Sequence, residues 1–454
     1  KFNELVKNKE ILMLITGAKV FSQLVRVKPN RSLPFSRECV MNAIQLAEAA
    51  SELANSERDN LSKVEFDEVN GELAKMYSLA AVFYAPLLRL ASGAEHYVHG
   101  ALLAVKKVEN SEIQASVYMK CSEFSIMTGD YQSGKEYLRK ATWMCTFNKY
   151  ESILIECFKL SIVNEMFTGN VFAADEVTKR SNDSFHNMKL MPMWSRTVIL
   201  REDYVLCEKL LEIACRVPIG SFHSNTQKMF AFLEGENDPD VSIALSLLFG
   251  RRYNNSTLAL KAAVRAADTI LQMDMPDVPI VLFHTYVYTI QAIYESVFCQ
   301  ESHSTRRSSL GKIRKILSAK VAPGDNDGDS PVLLPKAVEV AKQLLNHLNG
   351  YKVYAICIPH IAYCDGIFER ITKKKKDAKL KFEKCVELAE KHSQPFVAAL
   401  SYYQLHGLEN DFVTKGELAQ KSLQNFAKCR IKAKGKEDMN MFEEASLLMK
   451  SGAS

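Results

Sequence analysis

The sequence predicts an all-α protein built from helical hairpins. Stretches in which apolar residues recur at three- and four-residue spacing fill nearly the whole chain, and strand-like alternation is scarce. Such stretches begin at Cys39, Leu258 and Pro335. Proline and glycine lie between them, and Asp277 and Pro279 stand where a capping residue and an early proline are expected. We therefore expect successive helices joined by short turns.

The composition argues against several classes of function. The 454 residues are 47% hydrophobic and 24% charged, as in a folded protein, and 58 basic against 53 acidic side chains leave no strong field for nucleic acid. Eleven cysteines occur without a CxxC pair, which argues against a zinc ribbon or dithiol site and favours reduced thiols in the cytoplasm. The chain has no phosphate-binding loop, dinucleotide fingerprint, HExxH or GxSxG motif. We therefore predict no catalytic residue, no cofactor and no metal.

The first recognisable hairpin runs from Tyr118 to Ala141, YMKCSEFSIMTGDYQSGKEYLRKA, with a Gly-Asp-Tyr turn between two helices. On its second helix Gly134, Leu138 and Ala141 fall on one face. A glycine at this position lets two helix axes approach within about 8–10 Å, and the leucine and alanine then fill the seam. We expect the helix to tolerate Gly134 because packing requires it.

This pattern resembles the tetratricopeptide repeat (TPR), in which a small residue follows the turn and a bulky and a second small residue follow at these intervals. The residues in matching positions are Tyr118, Gly129, Asp130, Tyr131, Gly134, Leu138 and Ala141. The sequence departs from the family at Ser122, where glycine is favoured, and at Gly134, where alanine is favoured. The resemblance implies a TPR-like α-solenoid, whose stacked hairpins leave a concave surface that binds a peptide or protein.

The same plan recurs twice along the chain. In the stretch from Phe158, Gly169 stands at a turn and Ala174 on the following helix. This turn lies 40 residues after the one at Gly129, whereas TPR spacing is about 34. A third helix face is formed near the C-terminus by Ala378, Phe382 and Cys385. From this spacing we expect about ten hairpins of about 40 residues each.

The most apolar run extends from Val278 to Cys299 and is long enough to be considered as a membrane span. Three polar residues interrupt it, namely His284, Gln291 and Glu295. Polar groups of this kind are costly within a bilayer. We therefore predict a buried helix.

The best candidate for a domain boundary is the stretch 318–335, which is rich in proline, glycine and aspartate. We predict a helical-repeat array over residues 1–321, a loop or linker over 322–334, and C-terminal TPR-like repeats over 335–454. Fewer contacts should cross this stretch than cross any other point.

The C-terminal hundred residues, with the helix-forming stretch from Gly350 and the face at Ala378, resemble the repeat arrays that follow the ATPase module in soluble adenylyl cyclase and related signal-transduction ATPases. The resemblance implies an alternative reading, in which the chain is the C-terminal regulatory region of a longer nucleotide cyclase in cAMP signalling. The catalytic modules would then lie upstream of Lys1, and a chain that begins without Met is expected for such a piece.

Two clusters have the residue types of metal sites. The carboxylates Asp325, Asp327 and Asp329 alternate like calcium ligands, but Ser330 replaces the required glycine and Lys336 replaces the bidentate glutamate. We interpret this stretch as a solvated loop.

The second cluster consists of Cys357, His360 and Cys364, which a helix would place on one side. A structural zinc site requires four ligands, usually from turns that wrap the ion. We interpret this cluster as helix packing.

Two charged segments are candidates for interaction or modification sites. The run Lys373–Lys376 is the densest basic segment, but its position just before a helix favours a solvated loop over contact with an acidic surface. The sequence RRSS at Arg306–Ser309 would suit a basophilic kinase acting on Ser309, although such short matches are common by chance.

Together these observations predict a non-catalytic protein–protein interaction scaffold in the cytoplasm, associated with a larger assembly such as the cytoskeleton or a cilium. Its partners would be proteins bound on the concave surface, with no nucleic acid and no membrane span. A free-standing all-α enzyme is a third alternative. It predicts a deep pocket lined by ionisable groups with perturbed pKa values, whereas a scaffold predicts an open groove.

Overall fold

A computed structural model describes residues 2–26, 33–57, 59, 61–88, 94–180, 184–200, 202–219, 226–273, 279–297 and 330–429. Within these ranges the chain is almost entirely helical and contains no strand. The helices are α1 (Phe2–Arg26), α2 (Leu33–Ser56), α3 (Lys63–Leu88), α4 (Ala94–Val105), α5 (Ser111–Thr128), α6 (Tyr131–Asn148), α7 (Glu151–Phe167), α8 (Val171–Arg180), α9 (Ser184–Ile199), α10 (Tyr204–Cys215), α11 (Thr226–Gly235), α12 (Pro239–Arg251), α13 (Ser256–Gln272), α14 (279–297), α15 (Ser330–Leu348), α16 (Cys357–Ile371), α17 (Lys375–Lys391), α18 (Pro395–Leu408) and α19 (Phe412–Lys428). A short 3₁₀ segment, Asn349–Val353, follows α15.

The helices pack as sequence-adjacent pairs. The pairs α1–α2, α3–α4 and α5–α6 are hairpins of this kind, as are α12–α13 and α18–α19. Successive hairpins near the N-terminus contact one another through α2–α3 and α3–α5. The predicted all-α solenoid of stacked helical hairpins is confirmed.

Residue contacts divide the chain into two compact units, and neither is continuous in sequence. The first unit comprises Lys1–Asn164, Met273–Phe283 and Asn349–Ile358. The second comprises Glu165–Gln272, His284–Leu348 and Pro359–Ser454. Of the predicted linker 322–334, residues 322–329 lie outside the described part of the chain and residues 330–334 belong to α15. A domain division there stays a prediction.

The turn between α5 and α6 shows how a hairpin is closed. Gly129 adopts a left-handed conformation with φ of 91°, which glycine reaches without steric cost. Its N–H donates to the Ile126 carbonyl at 3.1 Å, and the Asp130 N–H donates to the Ser125 carbonyl at 2.8 Å. The Asp130 carboxylate then accepts the Ser133 N–H at 3.1 Å and caps α6. Two residues thus end one helix and begin the next.

The same two-residue turn recurs along the chain with different residues. At Gly169 and Asn170 it closes α7 and opens α8, with the same pair of backbone hydrogen bonds. It recurs with a non-glycine residue in the left-handed position at Glu202–Asp203, Lys373–Lys374 and Ser393–Gln394. Of the turns named here, only those at Gly129 and Gly169 have glycine in the left-handed position, so only these two can be recognised from the sequence.

Gly134 of α6 packs directly against α5. A Cβ at this position would lie 2.9 Å from Ile126 Cγ1 and 3.4 Å from the Ser122 carbonyl oxygen. The Ser122 hydroxyl donates to the Gly134 carbonyl at 2.7 Å. The glycine is therefore required by packing, as predicted, and the serine that departs from the TPR pattern forms an interhelical hydrogen bond.

The apolar run predicted to be a buried helix is α14, and most of its side chains are buried. Two of the polar residues that interrupt it, His284 and Glu295, are paired with arginines of the second unit. Arg196, which is 1% exposed, donates to His284 Nδ1 at 2.8 Å and to Asp240 at 2.5 Å. Because arginine only donates, His284 accepts at Nδ1 and is held neutral.

A second arginine binds the other polar end of α14. Arg251 donates twice to the Glu295 carboxylate, at 2.8 Å from both Nε and Nη2, and Gln291 donates to the same carboxylate at 3.0 Å. These bonds satisfy the charge where it is largely removed from water. Within the described ranges, no helix has the length and apolar character needed to cross a membrane.

Candidate functional site: a polar cleft in the first unit

The first unit contains a cleft of about 590 Å³ bordered by α1, α3, α5 and α7. These are alternate helices of the stacked hairpins, so they contribute to one side of the stack. The lining residues are Lys19, Ser22, Gln23, Glu72, Lys75, Met76, Ser78, Leu79, Ser116, Met119, Lys120, Ser152, Ile153 and Glu156. Most of them are polar or charged, and this distinguishes the cleft from an apolar ligand pocket.

Charged side chains of the cleft form ion pairs on its walls. Lys75 lies 2.8 Å from Glu72 within α3, and Lys19 of α1 lies 3.9 Å from the same carboxylate. On α7, Glu156 pairs with Lys159 at 2.9 Å. Both signs of charge are therefore held at fixed positions around the cleft.

One wall of the cleft contains a buried ion pair. Lys120 lines the cleft, although it is only 5% exposed, and its ammonium lies 3.6 Å from the fully buried Glu123. Glu123 Oε1 also accepts the Ile280 N–H in the first turn of α14, at 2.8 Å. Burial raises the pKa of Glu123 to about 7, although Lys120 and the Ile280 N–H act in the opposite direction.

The position of Glu123 bears on catalysis. A carboxyl with a pKa near 7 beside a cleft has the property of a general acid or base. Glu123, however, is not among the residues that line the cleft, and one of its oxygens is occupied by the backbone of α14. A general base must reach the proton that it removes, and Glu123 does not reach into the cleft.

The residues predicted to define the repeats lie in helix seams and turns. The buried ones on the helices are Gly134, Leu138, Ala141, Ala174, Ala378, Phe382 and Cys385. Tyr118 is half-buried and stacks on Tyr137 with ring centroids 6.2 Å apart. Tyr131 is the half-buried first residue of α6. None of these residues lines the cleft.

In the C-terminal repeats, the predicted face of α17 packs against α16 and α18. A Cβ on Gly366 would lie 2.6 Å from the Phe382 ring, so the two helices are in close contact there. The Cys385 thiol donates to the Pro359 carbonyl at 3.1 Å and accepts from the Ser401 hydroxyl at 3.0 Å.

At Gly169, a Cβ would lie 2.8 Å from Cys429 Sγ, which makes this glycine a packing residue as well as a turn residue.

The cysteine–histidine cluster lies on α16, and the lysine run lies at the start of α17. Cys357, His360 and Cys364 lie on α16 and are buried, and the His360 ring packs edge-on against Phe167 at 4.6 Å. Among the described residues, no group of three or more His, Cys, Asp or Glu side chains is placed to hold a metal ion. The run Lys373–Lys376 is exposed and forms the turn before α17 and its first residues, as its position in the sequence predicts.

Three predictions fall outside the described residues. These are the carboxylates Asp325, Asp327 and Asp329, the kinase motif Arg306–Ser309, and the linker up to residue 329. They stay predictions.

No family model and no curated protein matches the chain. Among solved structures, a circular tandem repeat protein with novel repeat topology and enhanced subunit contact surfaces is 13% identical, with 98% of this chain and 99% of that chain covered and a TM-score of 0.18. The nuclear import adaptor Nro1 of S. pombe is 10% identical, with 96% and 99% covered and a TM-score of 0.19. With TM-scores this low, neither protein informs function.

The sequence did not identify the cleft. Its lining residues come from four helices spread between Lys19 and Glu156, and no local motif joins them. The available signal was a polar stripe on alternate helices, since Lys75, Lys120 and Ser152 occupy corresponding helices of successive hairpins. That stripe becomes visible only when the hairpins are stacked in register.

Proposed function

We propose that the protein is a non-catalytic scaffold that binds a protein partner in the polar cleft of its first unit. The observation that supports this is the contribution of α1, α3, α5 and α7 to one continuous polar surface. In stacked helical hairpins, the alternate helices form the surface on which peptides are bound.

The chemistry of the lining indicates the kind of partner. Serine hydroxyls and Gln23 supply hydrogen-bond donors and acceptors, and the ion pairs supply both signs of charge. Such groups suit an extended polypeptide, whose backbone requires donors and acceptors along its whole length. We therefore infer that the cleft takes a peptide segment of a partner protein.

The proposal is tested by reversing one charge in the cleft. Lys75→Glu removes the pair with Glu72, whereas Lys384→Glu removes a matched pair with Glu387 at 2.9 Å, on a helix that does not border the cleft. The tagged full chain is captured from its source cells after chemical cross-linking, and the co-captured proteins are quantified by mass spectrometry. We expect Lys75→Glu to lose a partner that the wild type and Lys384→Glu retain.

The result that contradicts the proposal is an identical set of captured proteins for both variants. Circular dichroism of each variant provides the folding control. It is needed most for Lys75→Glu, which places a second carboxylate beside the buried Glu72, whereas the Lys384–Glu387 pair is exposed and worth about 0.2–1 kcal/mol. A partner lost equally from both variants would indicate binding outside the cleft.

We also propose the finer assignments that the sequence predicted. These are a TPR relationship, a cytoplasmic location with cytoskeletal or ciliary association, membership of a larger assembly, and, as the alternative, the regulatory region of a longer nucleotide cyclase. The turn at Gly129–Asp130 and its repetition at Gly169–Asn170 support the TPR relationship. The close packing of Phe382 against Gly366 supports C-terminal repeats of the predicted kind.

The cyclase alternative is tested by mass. An antibody against residues 335–454 identifies the native polypeptide in a denaturing gel of source cells. A mass well above 51.2 kDa supports attached upstream modules, and cyclase activity is then assayed on that longer chain. A mass near 51.2 kDa contradicts the alternative.

A further inference from the structure

Helix α6 presents an exposed pair of aromatic side chains. Trp143 is 65% exposed and Phe147 is 75% exposed, although large aromatic residues are normally well covered. Their rings are stacked, with centroids 5.7 Å apart and planes inclined by 12°. The pair therefore forms a rigid apolar platform whose side chains lose little further freedom when a partner binds.

Basic residues extend this platform along the helix. Arg139 precedes Trp143 by four residues and Lys135 precedes it by eight, so all three lie on the stripe that ends at Phe147. Both cations are exposed. Glu136 lies beside the stripe, 2.9 Å from Lys140, and Arg139 also stabilises its charged form. The stripe is therefore apolar at one end and carries two exposed cations at the other.

The opposite face of α6 is fully used in packing. Gly134, Leu138, Ala141 and Cys145 are buried, and α6 packs closely against α5. The aromatic pair thus has no role in closing the hairpin. Neither aromatic residue nor either cation lines the polar cleft, so this surface is separate from the site of the proposed function.

From these observations we propose that the α6 stripe, Lys135, Arg139, Trp143 and Phe147, is a second docking surface, which binds a short acidic segment of a partner protein through an apolar anchor side chain. The anchor packs on the Trp143–Phe147 platform, and acidic residues four to eight positions away pair with the two cations. Tryptophan and arginine are the residues most enriched where binding energy is concentrated. Charge complementarity selects an acidic partner and increases its rate of association.

An anionic membrane is the rival occupant, since aromatic and basic residues also favour lipid interfaces. Stable membrane binding requires an extended apolar face, whereas this stripe offers two large apolar side chains. The geometry therefore favours a peptide.

The test uses the full chain and a synthetic acidic helical peptide of about 16 residues, rich in Glu, with Leu and Phe at three- and four-residue spacing and no Trp. The chain contains two tryptophans, and Trp194 is half-buried, with its indole N–H donating to Asp175 at 2.6 Å. Peptide binding should shift the emission of Trp143 to shorter wavelength. The shift should disappear in Trp143→Phe, which keeps an aromatic ring but removes the reporter.

Affinity is then measured by the fluorescence anisotropy of labelled peptide. We expect Trp143→Ala to weaken binding about tenfold or more, Phe147→Ala to weaken it several-fold, and Arg139→Glu to weaken it and reduce its salt dependence. Phe412→Ala removes a phenylalanine that is 62% exposed on α19 and serves as the matched control, with no expected change.

Three results would overturn the proposal. The first is equal binding by Trp143→Ala and the wild type. The second is equal binding of a control peptide with Lys in place of Glu. The third is a Trp143 shift with phosphatidylserine vesicles but not with the acidic peptide, which would assign the stripe to a lipid surface. Because the cleft residues are untouched, these outcomes are independent of the Lys75→Glu experiment.

Discussion

Two glutamates, one in each unit, show how a partner side chain decides the state of a buried carboxyl. Glu123 of the first unit is fully buried beside a single lysine at 3.6 Å, and burial raises its pKa to about 7. Glu295 of the second unit is also largely removed from water, which acts to raise its pKa. Two short hydrogen bonds from Arg251 overcome this and hold the pKa of Glu295 below its usual range.

The difference has a simple physical basis. Arginine matches a carboxylate with two parallel donors, whereas lysine provides a point charge that must be close to be effective. In the second unit, Arg251 therefore holds Glu295 ionised in a partly exposed bidentate ion pair. The first unit keeps a poorly neutralised pair, Lys120–Glu123, behind the cleft.

The largest expected effect is on the second unit. Arg251→Met should lower the free energy of unfolding by about 3 kcal/mol, because it leaves Glu295 without its charged partner. Urea unfolding followed by circular dichroism measures this loss. The double variant Arg251→Met with Glu295→Leu should recover most of the stability, since no unpaired charge remains. A double variant as unstable as the single one would show that packing, and not charge, is the cause.

The matched change in the first unit should have a smaller effect. Lys120→Met leaves Glu123 free to take up a proton near neutral pH, so we expect a loss of about 1–2 kcal/mol at pH 6. The same urea titration measures it. A loss as large as that of Arg251→Met would contradict the contrast between the two carboxyls.

The histidines of the second unit give the stability a definite pH dependence. Burial lowers the pKa of His284 well below its usual value, with Arg196 and His360 acting in the same direction, and burial lowers the pKa of His360 to about 3. The unfolded chain therefore binds more protons below about pH 6.5, and stability should fall as the pH falls, by about 1.4 kcal/mol per pH unit for each histidine.

Urea midpoints between pH 4.5 and 6.5 test this slope. His360→Gln should reduce it by one proton, whereas His96→Gln removes an exposed imidazole and is the control. An unchanged slope in His360→Gln would contradict the assignment of a buried neutral histidine.

Glu123 should change the free energy of unfolding with pH in the direction opposite to that of the two histidines. Its raised pKa means that the folded state binds more protons between about pH 4.5 and 7, so its contribution to stability is present at low pH and is lost as the pH rises through about 7. Glu123→Gln should therefore make stability rise more steeply with pH in this window, by at most about 1.4 kcal/mol per pH unit. An unchanged slope would show that Glu123 is already ionised in the folded protein across this window.

Local patterns predicted the hairpins well and the surfaces poorly. The helices around Gly129, the packing role of Gly134 and the burial of α14 were read from spacing and from glycine chemistry, because these features depend on neighbours within one hairpin. The turn at Glu202–Asp203 was not predicted, because glutamate occupies the left-handed position, which is usually occupied by glycine.

The sequence by itself determined that this chain folds as paired helices, because helical periodicity and turn chemistry act over a few residues. Tertiary structure alone decided which charges meet. Glu123 accepts a hydrogen bond from a residue 157 positions away, and Arg196 reaches a histidine 88 positions away. The packing of the hairpins likewise decided which side of the stack carries the polar cleft. Partners so distant in sequence leave no periodic signal, since their pairing depends on how whole hairpins pack and not on the residues beside them.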